Sequence, residues 1–187
     1  KEEGSAPFFD VRTPAEFARG HIPGAHNLPL FSNEERVVIG TLYKQTGRHE
    51  AVLRGLDFIG PKMRAMVDHV QQIVGEGPDT YDGPPLRVHC WRGGMRSGSV
   101  AWLLSFYGYP CVVLDGGYKA FRRLVLETFE SDRLTYLILG GPTGSKKTEL
   151  LTELATHGEQ TIDLEALANH RGSAFGHLLL DEQPSVE

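Results

Sequence analysis

Cys90 stands between a short β-prone run, Leu86 to His89, and a stretch whose apolar spacing predicts a helix from Ser97 to Tyr107. The turn joining them reads Trp91-Arg92-Gly93-Gly94-Met95-Arg96. A thiol just ahead of a helix N-terminus meets the positive end of the macrodipole, and Arg92 and Arg96 add cationic charge beside it, so thiolate is expected near neutral pH. Gly93 and Gly94 have no Cβ, which frees the backbone to aim successive N–H groups at a tetrahedral oxyanion. The chemistry expected is that of a reactive thiolate at Cys90 beside a phosphate-like or sulfur-oxyanion group, with Arg92, Gly93, Gly94, Met95 and Arg96 as the anion-binding set. Trp91 is expected to line the entrance, since a large apolar side chain in such a turn covers a pocket mouth. Cys111 reads differently, as a small buried hydrophobe within a strand.

A second candidate lies in Gly140-Gly-Pro-Thr-Gly-Ser-Lys-Lys-Thr148, which follows the β-prone run Leu134 to Leu139 and precedes a helical stretch from Glu149 to Thr156. That order is the order of a P-loop, G-x-x-x-x-G-K-[ST], with Gly141, Lys147 and Thr148 in place. Lys146 occupies the position of the second glycine, and a lysine there resists the backbone conformation that wraps a phosphate. A diphosphate or nucleotide site is expected at Gly141, Thr143, Gly144, Lys147 and Thr148.

The elements that must position these loops follow from the punctuation. Phe8 to Val11 reads as a strand, Thr13 as an N-cap with Pro14 in the first turn of a short helix, and Ala25 to Leu30 as a second strand. Asp10 and Arg12 are expected to pin the first strand by a salt bridge or backbone hydrogen bonds. Glu34 to Val74 reads as largely helical, broken near Gly60-Pro61, with Met63, Met66, Val67, Val70 and Val74 forming a core face. Gly75 to Pro85 is a loop, Gly108 a helix cap, Cys111 to Leu114 a strand, and Tyr118 to Phe129 a closing helix. Strand, helix, parallel strand, helix is the grammar of an open α/β sheet, whose ligand loops gather at the strand C-termini. Residues 1–130 are expected to form that domain, and residues 131–187 the start of a P-loop domain cut short, a partial strand-loop-helix unit.

Composition sets the bounds. The chain has 187 residues, 40% hydrophobic and 23% charged, enough to bury a core. A net charge of −5 offers no global attraction to nucleic acid, and local basic groups have to supply any such contact. Neither the two cysteines nor the eight histidines fall in metal-ligand spacing, so no metal is expected. No apolar run nears the roughly 20 residues of a membrane helix, and a reactive thiol suits the reducing cytoplasm.

Asp10-Val-Arg-Thr-Pro-Ala-Glu-Phe17, Gly20-His-Ile-Pro-Gly-Ala-His-Asn-Leu-Pro29, the Cys90 loop and Leu114-Asp-Gly-Gly-Tyr118 resemble the marks of a rhodanese domain. Together with Asn33-Glu-Glu-Arg36, Gly40-Thr-Leu-Tyr-Lys-Gln45, the P-loop and Asp163 to Gly176, they resemble the bacterial tRNA 2-selenouridine synthases over nearly the whole chain. The resemblance implies a rhodanese-like open parallel sheet with helices on both faces, then a P-loop domain. It implies a transferase acting on wobble 2-thiouridine of tRNA, which geranylates the sulfur with geranyl diphosphate and then installs selenium from selenophosphate, with no tightly bound cofactor. On these positions Cys90 would be the essential thiol, with Arg92, Gly93, Gly94 and Arg96 holding selenophosphate or a similar anion. Gly141, Thr143, Gly144, Lys147 and Thr148 would hold the diphosphate. Two other enzymes fit the loop. His89-Cys-x-x-Gly-x-x-Arg-Ser97 satisfies the cysteine-phosphatase pattern, and a rhodanese-type sulfurtransferase would carry a persulfide on Cys90. A non-catalytic binding module remains a third class, distinguished by an inert Cys90.

Overall fold

The computed structural model describes residues 6–131, 135–142, 144–172 and 175–184. The chain divides into two compact units, Lys1–Glu130 and Ser131–Glu187. The first holds a parallel sheet of β1 (Phe8–Asp10), β2 (His26–Asn27), β3 (Leu86–His89) and β4 (Cys111–Val113) in the order β2-β1-β3-β4. Helices α1 (Pro14–Arg19), α2 (Asn33–Gln45), α3 (Arg48–Ile59), α4 (Met63–Val74), α5 (Met95–Tyr107) and α6 (Gly117–Phe129) flank it. This is the α/β architecture that the alternation of patterns predicts.

The central strands β1 and β3 pair in register, Phe9 beside Val88 and Asp10 beside His89, which brings the ends of both strands to one rim. Phe9, Leu86 and Val88 are buried among Val100, Leu103 and Leu104 of α5 and Met66, Val67 and Val70 of α4. These are the faces that the helical spacing assigns to the core, with one exception. Tyr107 ends the α5 stripe 42% exposed, its hydroxyl 3.3 Å from Gln71 Oε1.

Several elements differ from their sequence reading, each for a local reason. The expected helix from Glu34 breaks at Thr46-Gly47, where Gly47 takes φ 95° and both amides bond back to the Leu42 carbonyl. The break expected near Gly60-Pro61 is present as one 3-10 turn, Gly60–Lys62, between α3 and α4. β2 is shorter than Ala25 to Leu30 because Pro29 has no N–H, although the amides of Leu28 and Leu30 still donate to Asp10 and Val11. β4 is an edge strand, so Cys111 is only half-buried, and Val112 and Val113 are 48% and 37% exposed.

Capping boxes fix the starts of α1 and α2. The Thr13 and Glu16 side chains close the first, and Ser32 and Glu35 close the second. A buried ion pair joins Arg12 to Asp10 at 2.6 Å, and the same guanidinium donates to the Gly20 carbonyl and lies 3.9 Å over the Tyr118 ring. Strand β1, the end of α1 and the start of α6 therefore meet on one side chain.

His89 is fully buried beside that pair, with neither ring nitrogen hydrogen-bonded among the described residues. Burial pulls its pKa down, against the nearby Asp10 charge. The unfolded chain therefore takes a proton near pH 6.5 that the folded chain refuses until lower pH. Stability should fall as pH drops below about 6.5, by up to about 1.4 kcal/mol per pH unit from this group. Denaturation midpoints of the wild type and His89→Asn between pH 5 and 6.5 check it: the variant should lose that slope, and equal slopes would refute the assignment.

The second unit contains α7 (Lys147–Thr156) and α8 (Leu164–Leu167), the latter capped by the Asp163 carboxylate on the amides of Glu165 and Ala166. Of the expected strand from Leu134, that first residue lies outside the described residues, and residues 135–139 have no regular structure. A strand exists through its ladder, and among the described residues of this unit there is no second strand to pair with. Leu137 and Ile138 are accordingly 100% and 88% exposed.

Candidate active site

Cys90 follows the last residue of β3, and Gly94 caps α5 four residues later. The thiol is buried at the floor of a cavity of about 970 Å³ bounded by this loop and by α2. The Gly94 amide points at the sulfur from 3.3 Å, as does the Ser97 hydroxyl, also at 3.3 Å. Burial pushes the thiol up, but hydrogen bonds from the Ser97 hydroxyl and from the amides of Arg92, Ser97 and Gly94 outweigh it and bring the pKa below the ordinary cysteine value. Cys111 supplies the contrast, because its burial is not overcome by Ser105 and its pKa rises.

The lowering thus comes from amides and a hydroxyl rather than from the two arginines. Arg96 is turned to Glu16, Nη1 to Oε2 at 2.9 Å, and that carboxylate oxygen also accepts from the Thr13 amide. Arg92 is exposed, with no ion-pair partner among the described residues, and Met95 begins α5 with its side chain exposed. Trp91 lines the cavity and tilts against Tyr118, ring centroids 5.8 Å apart. Both arginines, Gly94, Met95 and Trp91 all border the cavity that Cys90 floors.

Sequence reasoning leaves Glu16 and Gly117 without a part in this loop, and places Ser97 there only through the cysteine-phosphatase pattern, yet all three shape it. Gly93 takes φ 67°, and a Cβ there would come within 2.6 Å of the Leu114 carbonyl oxygen. Gly117 takes φ 59°, and its Cβ would lie 2.6 Å from the Gly93 nitrogen. The close approach lets the α6 amides of Tyr118 and Lys119 donate to the carbonyls of Cys90 and Trp91 at 2.9 and 3.0 Å. The Leu114-Asp-Gly-Gly-Tyr118 run is the local signal for that contact, legible only once the partner loop is in place.

The Ser97 oxygen lies 3.0 Å from the Gly94 carbonyl as well as 3.3 Å from the sulfur, and its single proton serves one acceptor at a time. Ionisation of Cys90 draws that proton to the sulfur. Ser97→Ala should therefore move the rising limb of an iodoacetamide alkylation profile to higher pH, about 1 kcal/mol of thiolate stabilisation being lost. An unchanged profile would assign the lowering to the backbone alone.

In the second unit Lys146 adopts the left-handed conformation, φ 59° and ψ 29°, which the missing glycine would take freely. The lysine resists less than its type suggests, at a cost of about 1 kcal/mol, while its ammonium pairs with Glu149 at 3.0 Å. Lys147 reaches back to the carbonyls of Gly141 and Pro142, each at 3.0 Å, and Gly144 takes φ 82°. Thr148 sits in the first turn of α7, and Thr143 lies outside the described residues. Among the described residues there is no grouping of His, Cys, Asp or Glu suited to a metal, and no helix is long and apolar enough to cross a membrane.

A strand, a glycine-bearing cysteine loop and a helix at the rim of a parallel sheet are matched by sequence as well: residues 1–124 fit the rhodanese-like domain. The chain belongs to the rhodanese-like family. Beyond its rhodanese-like domain, residues 134–186 match the tRNA 2-selenouridine synthase AAA domain. Curated relatives named tRNA 2-selenouridine synthase include that of Nitrosomonas eutropha, 39% identical over 97% of this chain and 46% of its own length. Another, from Hydrogenovibrio crunogenus, is 42% identical over 91% of this chain and 46% of its own. The chain thus spans about half the length of the curated relatives it matches. Among solved structures, it is similar to the N-terminal domain of a Clostridium difficile 630 protein described as ATP/GTP binding. That likeness has a TM-score of 0.59 at 40% identity, over 67% of this chain and 92% of the other.

Proposed function

We propose that this chain carries the rhodanese-like part, and the first elements of the P-loop part, of a cytoplasmic transferase that converts wobble 2-thiouridine of tRNA to 2-selenouridine. The tandem of a rhodanese-like match and a tRNA 2-selenouridine synthase AAA match on one chain carries this reading. The site chemistry agrees with it. Cys90 supplies the reactive thiolate, and the amides of Arg92, Gly93, Gly94 and Met95 line the turn that receives selenophosphate. Arg92 contributes free positive charge, while Arg96 shapes the rim through Glu16.

Gly141, Thr143, Gly144, Lys147 and Thr148 are the residues proposed to hold the diphosphate of geranyl diphosphate, Lys147 exchanging its carbonyl partners for phosphate oxygens. The S-geranyl nucleoside made there is the substrate for selenium transfer at Cys90. The test is mass analysis of tRNA nucleosides after incubation of the 187-residue chain with 2-thiouridine-containing tRNA, geranyl diphosphate and selenophosphate. Selenated nucleoside supports the proposal, and unmodified 2-thiouridine alone overturns it for this chain.

A further inference from the structure

The loop around Cys90 accounts for an anion, yet the cavity above it is far larger than an anion requires. At about 970 Å³ it reaches the upper end of the range for ligand sites. Its far wall is α2, which buries none of its residues. Arg36, Lys44, Arg92 and Arg96 are the charged side chains lining the cavity, with no Asp or Glu among the lining residues, in a chain whose net charge is −5. Arg36, Lys44 and Arg92 have no ion-pair partner among the described residues. The acids at the start of α2 face other duties, Glu34 accepting from the Ser32 hydroxyl and Glu35 paired with Lys62.

Gly40 explains how Arg36 is carried. It sits in the interior of α2, where glycine costs roughly 1 kcal/mol relative to alanine, and a Cβ there would lie 2.9 Å from Arg36 Nη1. The guanidinium lies along the helix over that gap. Between the cations stand apolar and aromatic surfaces: Tyr43 is 59% exposed and Val37 69%, and Trp91 lines the same space. Unpaired cations interleaved with an exposed tyrosine and a half-buried tryptophan are the makings of a groove for single-stranded nucleic acid, cations for phosphates and ring faces for bases.

We infer that the cleft between α2 and the Cys90 loop takes a single-stranded nucleotide of an RNA, with Arg36 and Lys44 on its backbone phosphates and Tyr43 and Trp91 against the base. The inference rests on the tRNA reading above and names the surface that performs it. It makes α2 the element that delivers the nucleotide to Cys90.

The test measures binding of an anticodon stem-loop RNA to the whole chain by fluorescence anisotropy across a salt series. The R36A/K44A double variant should bind at least about tenfold more weakly, and its log K against log salt slope should be shallower by about one to two. Arg123→Ala, on an exposed α6 residue outside the cavity, should match the wild type. Full affinity and slope in the double variant overturn the inference, even if the wild type selenates tRNA and the functional reading stands. RNA binding that depends on Arg36 and Lys44 without selenation supports the inference while overturning the activity. A wild type that binds no RNA overturns it as well. In a parallel alkylation assay with inorganic pyrophosphate as the probe, slowing of Cys90 alkylation in the wild type that disappears in the double variant while RNA affinity stays intact would assign the cleft to a small anion and overturn the inference too.

Discussion

Asp10→Ala should destabilise the first unit by about 3–5 kcal/mol, the cost of leaving one partner of a buried ion pair unpaired. Arg12 is 1% exposed and Asp10 fully buried, so neither charge has water to fall back on. The Arg12 guanidinium donates to both carboxylate oxygens, at 3.0, 2.9 and 2.6 Å, and the Arg12 amide donates to the same carboxylate. Without that carboxylate, the guanidinium keeps the Gly20 carbonyl and the Tyr118 ring but carries an uncompensated charge inside the core. Both tryptophans, Trp91 and Trp102, lie in the first unit, so their fluorescence during denaturation reports that unit alone. A decisive companion is the Asp10→Ala/Arg12→Met double variant, which removes the stranded charge. It should lose less stability than Asp10→Ala by itself, whereas an equal or greater loss would show that packing of the arginine, rather than its charge, dominates.

That pair is legible in outline from the sequence, as a salt bridge pinning the first strand, but its reach to Gly20 and Tyr118 is not. The same division runs through the site. Residue types near Cys90 announce the loop because the turn, the glycines and the helix start are all local. Glu16 meets Arg96 across 80 residues of sequence, and Gly117 meets Gly93 across a strand and a helix, so neither contact leaves a periodic trace. Charge in the loop misleads for the same reason: two arginines beside a cysteine suggest two cations on the sulfur, and only the fold shows one of them turned to a carboxylate. The region after Leu134 fails in the opposite direction. Tyr136 to Leu139 has the β-prone composition of a strand, but composition specifies no partner, and without a ladder the segment is irregular. Between α2 and α3 the helical pattern runs on through Gly47, whose positive φ decides the break.

Cys90→Ser should abolish selenium transfer, lowering it by at least about a thousandfold, with little effect on folding. Serine keeps the shape of the side chain and an acceptor for the Gly94 amide, so tryptophan-detected stability should stay within about 1 kcal/mol of the wild type. What it cannot keep is the ionised sulfur, because a hydroxyl remains protonated where the amides and Ser97 hold the cysteine below its usual pKa. The discriminating measurement is the nucleoside mass profile rather than total turnover. If geranyl diphosphate is used at the Lys147 loop and selenophosphate at Cys90, the variant should still geranylate 2-thiouridine and should accumulate the S-geranyl nucleoside without converting it. Continued selenation would remove Cys90 from the reaction. Loss of both products, with stability intact, would place the cysteine at the geranylation step or make the two sites interdependent. The alkylation profile then separates these outcomes from an unactivated thiol: a wild-type Cys90 that titrates at or above the ordinary cysteine value has only a few per cent of thiolate or less to offer at neutral pH, and the loop would be left as an anion cradle alone.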